Sequence, residues 1–86
     1  MTPYRVIAEW DEDARVWVTS SEDVPGLATG ADTFEDLIEK LKIVVPELLD
    51  ENGLLPAGTD TIPFAIKAER SELAPVAGWP ATSPRA

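Results

Sequence analysis

Tyr4-Arg5-Val6-Ile7-Ala8-Glu9-Trp10, and after an acidic break Arg15-Val16-Trp17-Val18-Thr19, is the stretch that decides the fold. Residues 4–10 alternate: Tyr4, Val6, Ala8 and Trp10 point one way, Arg5, Ile7 and Glu9 the other. A period of two is the mark of a half-buried strand. Asp11-Glu12-Asp13-Ala14 is a polar break of hairpin length. Residues 15–19 then resume with β-forming types, Val16 and Val18 on one face and Arg15, Trp17 and Thr19 on the other. The two runs read as an antiparallel hairpin.

Downstream, Pro25-Gly26 signals a tight turn, and Leu27-Ala28-Thr29-Gly30 is short enough for a third strand ended by Gly30. Gly30 reads as a position of unusual backbone geometry. A helix is predicted next. Thr33 suits the N-cap, with Asp36 three residues on in a variant of the capping box, and Glu35 and Asp36 suit the positive end of the helix dipole. Phe34, Leu37, Ile38, Leu41, Val44, Val45 and Leu48 make one broad apolar stripe. Gly53 is placed to end the helix. Pro46 predicts a kink near residues 42–45.

Residues 62–69 alternate again, Ile62, Phe64, Ile66 and Ala68 against Pro63, Ala65, Lys67 and Glu69, which gives a fourth strand. Pro63 is expected to turn its N–H side to an open edge or a bulge. Residues 71–86 hold three prolines and many small residues, so they are expected to be a disordered tail behind a domain of residues 1–70. Trp79 is expected to rest on the domain or to lie exposed. The fold class is therefore α+β: β-β-β-α-β, an antiparallel sheet with one main helix on one face.

Composition narrows the chemistry. The 86 residues contain neither Cys nor His, so disulfides, thiolate metal sites and imidazole acid–base catalysis are excluded. Thr19, Ser20, Ser21 and Ser71 have no base to activate them, and the lysines Lys40, Lys42 and Lys67 read as solvated surface. Sixteen Asp and Glu against seven Lys and Arg give a formal charge of −9, which repels phosphate backbones and steers basic proteins inward. No run approaches membrane-spanning length and no cleavable apolar start is visible, so the cytoplasm is the expected compartment.

From residues 11 to 41 a set of local signals follows in fixed order: the acidic tip Asp11-Glu12-Asp13, the strand Val16-Trp17-Val18, then Asp23-Val24-Pro25-Gly26-Leu27, Thr29-Gly30-Ala31-Asp32-Thr33 and the helix start Phe34-Glu35-Asp36-Leu37. This order resembles the N-terminal domain of the HicB-like antitoxins, with topology matching over roughly residues 4–70. The resemblance implies a degraded ribonuclease-H-like arrangement. It also implies a non-enzymatic role, sequestering a small basic HicA-like toxin that cleaves messenger RNA. Many members add a C-terminal DNA-binding module, which the sixteen proline-rich residues 71–86 cannot form. The chain is therefore closer to a stand-alone branch, with no direct nucleic-acid binding expected of it.

The expected contact surface has two parts. One helix covers one face of a sheet. If Tyr4, Val6, Val16 and Val18 meet it, Ile7 and Trp17 are left outside as an apolar patch. Asp11, Glu12, Asp13, Glu22 and Asp23 would steer a basic partner. Consecutive carboxylates in a turn project in different directions, so Asp11, Glu12 and Asp13 read as a solvated tip and no metal or cofactor is expected. A homo-oligomeric structural or regulatory domain with no toxin partner is the alternative.

Overall fold

The structure is a computed structural model and describes residues 2–77. Its elements are β1 (Tyr4–Asp11), β2 (Val16–Ser20), β3 (Gly30–Ala31), α1 (Phe34–Glu51) and β4 (Phe64–Glu69), and the strands lie side by side as β3-β2-β1-β4. The α+β class, with strands ahead of a single helix on a four-stranded sheet, is as expected from the sequence.

The sheet is mixed rather than wholly antiparallel. β1–β2 and β2–β3 are antiparallel, but β1–β4 is parallel, with Val6 opposite Ile66 and Ala8 opposite Ala68. The helix dictates this. At 18 residues α1 spans about 27 Å, enough to carry the chain back along the sheet. The strand after it therefore runs in the direction of β3, and hence of β1. Pro63 precedes β4 and its carbonyl accepts from the Tyr4 amide at 3.0 Å. Its nitrogen thus faces the β1 side at the end of the ladder, not an open edge.

The β1–β2 turn sets which side chains share a face. Asp11 Oδ1 accepts from the amides of Asp13 at 3.0 Å and Ala14 at 3.1 Å, and the Arg15 amide donates to the Asp11 carbonyl at 2.7 Å. Arg15 takes a left-handed φ of 59° to close the turn. Trp10 is then directly opposite Trp17, and Ala8 opposite Thr19. Opposed residues share a face. Trp17 and Thr19 therefore join Tyr4, Val6 and Ala8 under the helix, while Val16 and Val18 fall on the other side with Ile7. This reverses the facing of β2 expected from the sequence.

The core lies between that face and α1. Leu37, Leu41, Val45 and Leu49 are fully buried, four residues apart along one line of the helix, against Val6, Ala8, Val24, Leu27 and Ala31. The buried line of α1 also takes in Leu49, one residue beyond Leu48, the last position of the expected stripe. The Thr33 side chain accepts from the Asp36 amide at 3.1 Å, the predicted cap. Pro46 sits inside α1, which runs unbroken past it to Glu51. Asn52 caps the far end, its amide on the Leu48 carbonyl at 3.1 Å, and Gly53 follows with φ +67°.

β3 is only two residues long, so other bonds hold it. Buried Thr19 bonds Thr29 three times: its amide (3.0 Å) and hydroxyl (2.9 Å) donate to the Thr29 carbonyl, and its hydroxyl accepts from the Thr29 amide (3.2 Å). Gly30 starts β3 rather than ending a strand. A Cβ there would lie 2.8 Å from the Trp17 carbonyl oxygen. Close backbone approach, not an unusual φ, is why this position is glycine. Residues 71–77 carry no regular element, and Trp79 lies outside the described residues.

Candidate partner-binding surface

The face of the sheet turned away from α1 carries Ile7 from β1, Val16 and Val18 from β2, and Ala65 and Lys67 from β4. Among the described residues nothing covers its centre. Ile7 is 44% exposed and Val18 40%. A strand alternates because one face is buried and the other is wet. Two aliphatic side chains on the wet face are not needed to build the core.

Beside Ile7 the face dips into an open groove of about 780 Å³. Arg5, Ile7, Ser20, Glu22, Asp23 and Lys67 line it. Its wall is the loop after β2, and that wall is fixed. The Asp23 carboxylate accepts from the Arg5 amide at 2.7 Å and pairs with the Arg5 guanidinium at 3.5 Å. The Ser21 hydroxyl donates to the Arg5 carbonyl at 2.5 Å and accepts from the amides of Asp23 and Val24, each at 3.1 Å. β2 pairs with β1 only as far as Ile7–Ser20. Side chains therefore take up the backbone groups of Arg5 where the ladder stops. Pro25-Gly26 closes the loop with the Leu27 amide on the Val24 carbonyl at 3.3 Å and Gly26 at φ +82°, a type II turn.

The expected contact residues divide accordingly. Ile7, Glu22 and Asp23 come together at the groove, with Asp23 also serving as the latch on β1. Asp11, Glu12 and Asp13 lie at the other end of β1, with Asp11 about 20 Å from Arg5 and about 13 Å from Ile7 at the rise of a strand. Asp11 is the turn-closing acceptor, and Glu12 accepts from Trp10 Nε1 at 2.6 Å and Arg15 at 3.2 Å. Among the described residues no three carboxylates gather into a group able to hold a metal ion.

Trp17 does not belong to the outer patch. Its ring packs edge-on against Trp10 and against Phe34, both at 5.5 Å between centroids, at the open end of the helix face. The Arg70 guanidinium lies 4.0 Å over the Trp10 ring and so ties the exit of β4 to this cluster. Trp10 and Trp17 sit symmetrically about the turn, but their shared facing follows from the number of residues the turn consumes, which the left-handed Arg15 fixes and alternation alone leaves open. Arg70 carries no comparable signal. On the outer face of α1, the Glu39 carboxylate accepts from the Lys42 ammonium at 2.8 Å. That hydrogen bond, then the charge of Glu39, raises the Lys42 pKa above the usual lysine value.

Fold and surface define a small α+β domain whose sheet is roofed on one side and open, partly apolar and grooved on the other. It belongs to the family described as Domain of unknown function (DUF1902), whose model matches residues 3–77. No curated protein matches the chain. Among solved structures it is similar to the crystal structure of hypothetical protein TTHA1013 from the extremely thermophilic bacterium Thermus thermophilus. That similarity is 44% identity over 85% of this chain and 97% of that one, with a TM-score of 0.65. Among the described residues no helix is long and apolar enough to cross a membrane.

Proposed function

We propose that the domain is a HicB-like, non-enzymatic antitoxin-type module that docks a small basic, HicA-like mRNA-cleaving toxin in the cytoplasm and masks its active surface. The observation that carries this reading is the bare outer face. Ile7 and Val18 stand in the middle of a sheet, exposed, beside a groove with a rigid wall. Apolar side chains that the fold does not bury supply affinity when a partner desolvates them. The charge of −9 supplies the approach, drawing a cationic protein from a distance and fixing its orientation. Glu22 stands at the groove, while Asp11, Glu12 and Asp13 present a second acidic point at the far end of the strand.

The test is to identify the neighbouring reading frame and, where it encodes a small basic chain, to co-express that chain with the full protein. Co-purification and rescue of growth are expected, with affinity falling as salt rises. Ile7→Glu and Val18→Glu should abolish co-purification while the far-ultraviolet circular dichroism of the free domain stays unchanged. Absence of both complex and rescue, with both chains expressed and folded, refutes the toxin reading.

A further inference from the structure

We propose that the open edge of β4 pairs antiparallel with β4 of a second copy of this chain, about a two-fold axis at Ile66. The proposal does not rest on the toxin reading: it is argued from the backbone edge of β4, although Ala65, Ile66 and Lys67 also border the groove.

Backbone geometry singles out this edge. A parallel ladder engages alternate residues of each strand on each side. The Tyr4 amide donates to the Pro63 carbonyl, so odd-numbered residues of β4 turn their backbone groups toward β1. The N–H and C=O groups of Phe64, Ile66 and Ala68 therefore point outward. Among the described residues no strand or loop meets them, since β4 is last in the sheet order and no hydrogen bond from outside the ladder reaches them. The usual guards of an edge strand are scarce here. Pro63 lies before the strand, Lys67 is its one basic residue, and the chain leaving it runs on toward Trp10 instead of folding back along it.

A second copy fits this edge in one register. With Ile66 opposite its own counterpart, each of the three outward-facing residues meets an outward-facing residue of the other chain. Phe64 then faces the other copy's Ala68, a large side chain against a small one. Ala65 faces the other copy's Lys67 on the outer face. A register centred on Lys67 would put two ammonium groups directly opposite each other, which is unfavourable. Burial supplies the second argument. α1 packs closest to β3, at the far edge of the sheet, and leaves Phe64 and Ile66 only partly buried at the margin of the core. Pairing across the axis would lay these two side chains against their counterparts and extend the core under the helix into a continuous eight-stranded layer.

The natural chain has no Cys, so a single introduced one reports cleanly. Directly opposed, hydrogen-bonded residues stand about 5.5 Å apart at Cα, within disulfide reach. Light scattering on the unmodified full chain should give twice the 9.3 kDa chain mass at tens of micromolar. The dimer should strengthen with added salt, because two chains of −9 repel; a basic partner would show the opposite trend. Mild oxidation should link Ile66→Cys into a dimer and leave Val18→Cys unlinked. Ala68→Lys should return the chain to single mass with unchanged circular dichroism. A single-chain mass for the unmodified protein across the concentration range overturns the proposal. So does cross-linking through Val18→Cys in place of Ile66→Cys, which would mean pairing through the sheet face.

Discussion

The two faces of one sheet are built from alternate residues of the same strands, yet they answer to different demands. Under α1, Val6, Ala8 and Ala31 meet Leu37, Leu41, Val45 and Leu49 with almost no exposure. On the other side, Ile7 and Val18 keep 44% and 40% of their surface in water. The covered face is small and closely packed at its centre, as a thin core must be in a domain of this size. The open face holds aliphatic groups that contribute little to it. Burial and exposure are thus separated by a single residue step along each strand.

Substitutions can break that separation or sharpen it. The largest effect belongs to the covered face. Leu41→Ala should cost about 2–5 kcal/mol, enough to leave much of a marginal domain unfolded; urea unfolding followed by circular dichroism measures it. Thr19→Val comes next, at about 1–3 kcal/mol, because the Thr29 amide loses its acceptor where β3 is thinnest. Arg70→Ala should cost about 0.5–1 kcal/mol through the lost stacking on Trp10, and should speed limited proteolysis after residue 69. Ile7→Thr and Val18→Thr should change unfolding by less than about 0.5 kcal/mol while weakening capture of the proposed basic partner. If either of these cost as much as Leu41→Ala, the outer face would be part of the core and the contrast would collapse.

Periodicity carried the fold a long way. The helix start at Thr33 and its stop at Gly53, the hairpin and the fourth strand were all legible, since each depends on residues close in sequence. The facing of β2 was not, because it hangs on the left-handed residue at Arg15, which fixes how many residues the turn consumes. One residue either way exchanges Trp17 for Val18 on the outer face. The parallel entry of β4 depended on the direction of return after α1, a tertiary matter that alternation within residues 62–69 does not encode. Of the proposed contact residues, Ile7 is readable because β1 alternates cleanly. Val18 is hidden from sequence reading because alternation in β2 does not say which of its faces is covered. Asp23 stands out in the sequence for its charge, though its bond to the Arg5 amide is a structural task that charge alone does not reveal.

Where β2 ends, a hydroxyl and a carboxylate do the work of a missing peptide for Arg5. The wall of the groove and the first strand are consequently fastened together. A partner that displaced residues 21–23 would strip the beginning of β1 of its bonds on that side. β1 is also the strand on which β4 is laid, so tugging at the loop would loosen the seam at the sheet's far margin. Amide exchange at Arg5 would be the earliest gauge of that disturbance, registering it before any helix proton did.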